Sequence, residues 1–356
     1  MLAPRARSKS HDSRVCVGMG LIALDVIFDS LPNTSPIAVA GGSCGNVTAI
    51  LGFLGFRSYP IARLGRDSTS ERIIEDLSAV GVDTRGVVRD PLAESPIIIE
   101  RLFKSPAGTP GHRFEWRCPV CGSWFPRFRP PTVGSIENLD KELRSPTVFY
   151  FDRPSRAAIE IAHLLKKKAL VFFEPSTTSH KGLFRKACQL ADVVKYSHER
   201  LGGVPELENI PRDALIVETL GGAGLRFSPA GTGRTRRAWI ELAALPASEF
   251  RDAAGAGDWC SAGFILEITR HLDSKRALRS PRAVSSGLEF GQALAALNCS
   301  YLGARGVMYQ LTPKDIVLQA RKIVKTKDAR GRESQRGTKS AVQDVSKFCP
   351  TCVARK

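Results

Sequence analysis

Short apolar runs separated by helix-length segments constrain this chain more than any other feature. Phe149 to Phe151 and Leu170 to Phe173 are wholly apolar, and between them Ser155 to Lys168 sets Ala157, Ile161, Leu164 and Leu165 along one helical face. The rhythm recurs: Val15 to Met19 and Ala23 to Phe28 read as strands, as do Val193 to Val194 and Leu215 to Thr219. A glycine-rich turn, Gly41 to Asn46, leads into the apolar helical segment Val47 to Leu54. Strands alternating with helices in this way predict an α/β fold with a mostly parallel central sheet and helices on both faces.

Two segments depart from the pattern. Ile97 to Leu102 is β-branched and continues into a stretch rich in Pro, Gly, Arg and aromatics, which predicts a small β-rich flap over 97–132. After Arg321 the chain turns polar and basic, predicting a flexible linker over 321–347 and a short cysteine knuckle over 348–356. Residues 1–14 are basic and predict a flexible N-terminal tail, with no apolar core of a signal peptide behind them. The main domain is thus expected over 15–320. No apolar run nears the ~20 residues of a membrane span, so a cytoplasmic location is the default expectation, with no membrane partner.

Composition bears on partners. At 43% hydrophobic and 24% charged, 356 residues suffice for one large core, and the net charge of +17 suits a polyanionic partner or a phosphate-handling enzyme. Of the nine cysteines, Cys16, Cys188 and Cys299 sit in apolar context and read as small buried hydrophobes.

The sharpest chemical motif is Arg251-Asp252-Ala253-Ala254-Gly255-Ala256-Gly257-Asp258, running into the apolar segment Trp259 to Ile265. Glycines at a helix start expose backbone N–H groups where the helix dipole is positive, which makes an anion site of Gly255, Ala256 and Gly257. Asp258, at the same helix mouth, is placed to accept a proton from an attacking hydroxyl. The plain alternative is a glycine-rich turn before a buried helix.

This motif resembles the second signature of the PfkB carbohydrate kinases in the ribokinase-like superfamily, D-T-x-G-A-G-D followed by A-G-F, with Ala253 where Thr is usual. Gly41-Gly42 with Asn46, Ala62 to Asp67, and Leu77 to Thr84 resemble the first signature, in family order. The resemblance spans Val15 to Gln319 and implies a ribokinase-like three-layer α/β/α sandwich with a small β-rich lid. It implies phosphoryl transfer from ATP to a hydroxyl of a small sugar-like substrate. Asp25, Gly42, Asn46 and Asp258 match the substrate pocket, and a carboxylate with an amide suits a polyol. Thr219, Gly221 and Gly224 match a turn beside the nucleotide, and Asn298 matches a position near the adenine or, equally, a buried helix amide. Asp252 and Ala254, with Gly303 to Gly306, match loops that bind a monovalent cation such as K⁺.

Lys195 to Arg200 occupies the place of the K-P-N-x-x-E segment, but Ser197 replaces Asn and Arg200 falls where Glu is expected. Glu199, one residue early, is the carboxylate expected to hold Mg²⁺ through water. Lys195 is carried over as a nucleotide-site residue.

Cys118-Pro-Val-Cys121 in the flap and Cys349-Pro-Thr-Cys352 at the C-terminus form two C-x-x-C knuckles, the ligand set of a four-thiolate Zn²⁺ site. Redox pairs or free thiols are the other readings. A nucleoside kinase is the alternative within the enzyme class, with Trp116, Trp124 and Phe125 as stacking candidates. A catalytically degenerate sugar-binding or nucleic-acid-binding protein, using the basic tail, is the alternative outside it. A solvated charged tail is the simpler account of that segment than nucleic-acid binding. Relatives in the family often pair through their lids, so a homodimer is a further expectation.

Overall fold

The computed structural model describes residues 13–31, 34–106, 108, 110–134, 145–202, 210–231 and 238–334. Across the central nine-stranded sheet run β13 (Ile240–Leu242), β12 (Leu225–Ser228), β11 (Leu215–Thr219), β10 (Val193–Ser197), β9 (Leu170–Phe173), β8 (Val148–Phe151), β1 (Val15–Met19), β4 (Arg57–Leu64) and β5 (Val87–Arg89). Every pairing from β11 to β5 is parallel, and β12 and β13 close the far side antiparallel.

The uninterrupted apolar runs have a simple cause. Successive side chains of each strand enter opposite cores: Tyr150, Phe172, Val193 and Leu215 face one, and Phe149, Phe151, Phe173, Val194 and Ile216 face the other. A strand covered on both faces has no polar side to show.

The first core is roofed by α1 (Ser43–Phe53), α2 (Ser68–Ala79), α6 (Ala256–Ile268), α8 (Pro281–Asn298) and α9 (Pro313–Ser334). The second is covered by α3 (Arg156–Leu165) and α4 (Lys181–Leu190), and α5 (His198–Leu201) and α7 (Ser274–Ala277) are single turns. Side-chain caps start several of them: Asp67 accepts from Ser70 N–H at 2.7 Å, Ser155 from Ala158 N–H at 3.1 Å, and Ser280 from Ala283 N–H at 3.3 Å beside Pro281 at the first turn. In contrast, α1 and α6 have no side-chain cap and begin on glycines, Gly42 and Gly255. No described helix is long and apolar enough to cross a membrane.

A second sheet, in the order β3 (Ile37–Gly41), β2 (Ala23–Phe28), β6 (Ile97–Lys104) and β7 (Pro110–Glu115), forms the lid. The flap expected at 97–132 supplies β6 and β7, while β2 and β3 come from the N-terminal side. Their origin follows from pattern: β1 is buried throughout, whereas β2 alternates buried and half-buried, as a strand with one open face must.

The linker expected to begin at 321 is helical instead as far as Ser334, as the second half of α9. Ile323 and Val324 pack against the first core, and Arg321 pairs with Glu267 at 2.5 Å while lying over the Phe290 ring. Lys, Arg and Ala are strong helix formers, so basic composition did not exclude a helix here.

Candidate active site

The candidate residues gather at the carboxyl edge of the parallel strands, where open α/β sheets bind ligands. Asp152 follows β8, Glu174 follows β9, Lys195 lies on β10 and Thr219 ends β11.

At the mouth of α6 the two glycines do different work. Gly255 is left-handed, with φ of 70°, and a Cβ there would sit 2.4 Å from the Ala304 carbonyl oxygen, so the fold itself demands glycine. At Gly257 a Cβ would meet nothing nearer than 3.7 Å. Packing therefore does not require that second glycine. The Ala256 N–H, expected to serve an anion, donates to the Ala253 carbonyl at 3.1 Å. The first-turn donors of α6 that remain without an intrahelical acceptor are thus those of Gly257 and Asp258.

Asp258 is buried at 9% exposure and accepts from Asn46 Nδ2 at 2.8 Å. Burial pushes its carboxyl up to about 7, helped by the charge of Glu174 and opposed by Asn46, Arg200 and Lys195. Glu174 holds the floor of the site: it pairs with Lys195, accepts from the Tyr150 hydroxyl at 3.2 Å and bonds the Ser261 hydroxyl. Lys195, expected at the nucleotide, is instead 1% exposed and donates to Glu174 and to the Gly257 carbonyl at 3.1 Å. It props the first turn of α6 from beneath. Burial works against its charge, but Glu174 more than compensates and raises its pKa.

Gly42 joins the two halves of the expected substrate pocket. Its N–H donates to Asp25, and its carbonyl accepts from Asn46 N–H at 2.8 Å. It is left-handed, with φ of 78°, and a Cβ would lie 2.5 Å from the Leu21 carbonyl oxygen. Burial pushes Asp25 up to about 7, eased by Arg305 and the Gly42 N–H. Asp25 Oδ1 and Asn46 Oδ1 are both buried without a hydrogen-bond partner. Asp25 also borders a cavity of about 1030 Å³ lined by Val39, Arg72, Asp76, Arg305 and Tyr309. Arg305, 2% exposed, pairs there with Asp76 at 2.5 Å.

On the other flank, Gly221 and Gly224 adopt left-handed φ of 57° and 103° in the turn after Thr219. Glu199, exposed in the first turn of α5, brings Oε1 within 2.8 Å of where a Gly221 Cβ would be. The departure at Arg200 has an electrostatic result: its cation lowers the Asp258 pKa.

Asn298 follows the second of its two readings, a buried helix amide, and it sits beside the loop considered for a monovalent cation. Asn298 is fully buried, donates to the Ala254 and Gly303 carbonyls at 3.3 and 3.2 Å, and accepts from Val307 N–H at 3.3 Å. Its amide is spent on backbone rather than aimed at an adenine. Asp252 accepts from the N–H groups of Ala254 and Gly303 at 2.9 and 2.8 Å, and from His112 Nδ1–H at 3.0 Å. Burial would raise its pKa, but these donors outweigh it and hold the pKa below the usual carboxylate range. Hydrogen bonds therefore brace the Asp252–Ala254 loop that was expected to offer oxygens to a monovalent cation. Beside it Glu100 is pushed up to about 9 by burial and by the charges of Asp252 and Asp25.

In the lid hairpin, Cys118 N–H donates to the Ser123 carbonyl and Gly122 N–H to the Cys118 carbonyl, so Cys118 and Cys121 share one tight turn. Cys349 and Cys352, the second half of the expected zinc set, lie outside the described residues.

Sequence reasoning missed Glu174, Asp152, Glu100 and His112, and it named Arg305 only as part of the Gly303 to Gly306 loop, without its side chain's place beside Asp25 and Asp76. Asp152 accepts from Leu21 N–H at 2.9 Å and pairs with Arg153 at 2.9 Å. The available signal was position: a carboxylate directly after an apolar strand of a parallel sheet stands at the ligand edge.

Sheet order, lid and helix mouth together define a ribokinase-like α/β fold. No known family profile matches the chain. Solved structures match over most of its length: an uncharacterised sugar kinase of Pyrococcus horikoshii (TM-score 0.61, 22% identity, 87% of this chain and 99% of that one) and a fructokinase of Xylella fastidiosa with bound ATP (0.63, 19%, 89% and 99%). A nucleoside kinase of Methanocaldococcus jannaschii also matches, at TM-score 0.56 and 17% identity over 86% of this chain and 98% of that one. In sequence, the Pyrococcus horikoshii sugar kinase is 39% identical over 62 residues, a stretch that spans 17% of this chain and 20% of that relative.

Proposed function

We propose that this chain transfers the γ-phosphoryl group of ATP to a hydroxyl of a small sugar-like molecule. The observation that carries the reading is Asp258: a buried carboxylate at a helix mouth, oriented by Asn46, with its pKa raised to about 7. A base poised near neutrality can take the hydroxyl proton as the oxygen attacks. The Gly257 and Asp258 N–H groups face the charge that builds on the phosphoryl oxygens, and Gly257 is itself exposed at the helix mouth.

Asp25 and Asn46 supply the acceptors for substrate hydroxyls. Their unpartnered Oδ1 atoms are the kind of buried polar groups that a polyol satisfies. The Gly221–Gly224 turn borders the nucleotide, its backbone open at Gly222, where a Cβ would meet nothing within 4 Å. Glu199 is solvent-facing beside that turn, which suits a ligand acting through water, so it is the residue that would hold Mg²⁺. Bound there, the ion would neutralise polyphosphate charge. Glu174 and Lys195 keep the floor rigid, and the lid excludes water when closed.

The test is ATP-dependent phosphorylation across a panel of sugars and nucleosides, comparing wild type with Asp258→Asn. Nucleosides belong in the panel because Trp116 and Trp124 stand 52% and 58% exposed in the lid hairpin and could stack on a base. Turnover of a sugar that falls at least about 10²-fold in the variant supports the reading. Turnover insensitive to the substitution would overturn it.

A further inference from the structure

The lid and the loop before α6 meet in a buried cluster that phosphoryl transfer does not use. Glu100 on β6, His112 on β7 and Asp252 bring one imidazole nitrogen and two carboxylate oxygens within 4.8 Å of one another. His112 Nδ1 lies 3.0 Å from Asp252 Oδ1, near the separation of adjacent ligands on an ion bound at about 2.0–2.2 Å. Glu100 is 1% exposed, and its Oε1 has no hydrogen-bond partner. Glu100 and Asp252 are joined by a hydrogen bond, and a cation seated between the two carboxylates and the imidazole would take the place of the proton in it. The His112 side chain keeps 22% exposure, so an ion has a way in.

We propose that Glu100, His112 and Asp252 form a site for a divalent first-row cation of the manganese or zinc type, which fastens the lid to the loop carrying the helix mouth. Mixed imidazole and carboxylate donors suit such ions. This donor set consists of side-chain atoms from three separate segments, unlike the backbone carbonyls expected to hold a monovalent ion. The inference is independent of the kinase reading, since it concerns how two lid strands are tied to Asp252.

Mn²⁺ is the probe, because it favours nitrogen and oxygen over the thiolates of the lid hairpin. It is titrated into the full-length protein without nucleotide and followed by electron paramagnetic resonance. The expected result is one bound Mn²⁺ whose pulsed spectrum shows coupling to a ligand nitrogen. His112→Gln should abolish that coupling, and Glu100→Gln should weaken binding by about tenfold or more with the coupling kept. Glu199→Gln, at the phosphate end, should change neither. Circular dichroism of the metal-free variants checks that each is folded, and Glu100→Gln carries the test if His112→Gln is not. Absence of bound Mn²⁺ in the wild type, nitrogen coupling that survives His112→Gln, or unchanged affinity in Glu100→Gln would each overturn the site.

Discussion

At Asp258 catalysis and stability pull in opposite directions. Its folded pKa, about 7, stands above that of an exposed aspartate, so protonation is favoured by the fold. The contribution it makes to stability is then complete below the unfolded pKa and is lost as pH rises through about 7. Catalysis needs the form that the fold disfavours. kcat/KM is accordingly expected to climb with unit slope and level off above pH 7, a profile that rate measurements from pH 5 to 9 would establish. Asp258→Asn should lower kcat by about 10²–10⁴-fold and yet melt higher than wild type at pH 8, by about 2–4 °C for each kcal/mol relieved. The gap should narrow toward pH 4, because an asparagine carbonyl can still accept from Asn46 while no charge remains to be buried. Thermal melts showing the opposite trend with pH would mean that the carboxylate is not held as described. Asp258, Asn46 and Gly42 were legible in sequence because each belongs to a compact local motif. Glu174 was not, since its partners Lys195 and Ser261 lie 21 and 87 residues away, and its only local mark is its place directly after the apolar run Leu170–Phe173. Lys195 shows the converse: its place in a motif was readable, but its burial beneath α6 depended on a strand register that only the folded sheet fixes.

At the scale of elements, the helix mouth is aimed by the crossing of α6 and α8. A Cβ on Gly263 would lie 2.6 Å from Gly291 Cα, and one on Gly291 would lie 2.4 Å from the Cys260 carbonyl oxygen. Backbones this close leave no side chain to yield. Gly263→Ala gains up to about 1 kcal/mol in helix propensity, but overpacking against backbone typically costs about 1–3 kcal/mol, so net destabilisation is expected in denaturant titration. Its diagnostic feature is a fall in kcat larger than the rise in KM, because α6 shifts relative to Glu174 and Lys195. Arg321→Ala tests the other end of this layer. Losing the Glu267 pair and the cover over Phe290 should loosen α9 and lower the melting temperature by a few degrees, about 1 kcal/mol. Strands β8 to β11 were readable because burial on both faces writes itself as continuous apolar sequence. The lid membership of β2 was present in its period-2 alternation, but its partners β3 and β6 come from different segments, and pairing is not encoded locally. The helix over 321–334 was missed because the basic residues masked Ile323 and Val324, which dock it.

For the molecule as a whole, the net charge of +17 is a statement about encounter rather than fold. Carboxylates at the site are largely neutralised from within: Glu174 by Lys195, Asp76 by Arg305, and Asp152 by Arg153. The excess positive charge outside these pairs is therefore free to act on an approaching polyphosphate. The screening length falls from about 30 Å at 0.01 M salt to about 10 Å at 0.1 M, so long-range attraction present in the first condition is mostly gone in the second. kcat/KM for ATP is expected to fall several-fold across that interval, while kcat/KM for an uncharged sugar at saturating ATP stays flat. Tetramethylammonium chloride as the salt removes any specific effect of a small metal cation from the comparison. Equal salt dependence for the charged and uncharged substrates would show that the basic surface is not steering the nucleotide, and would leave the positive charge to solubility or to a different polyanion.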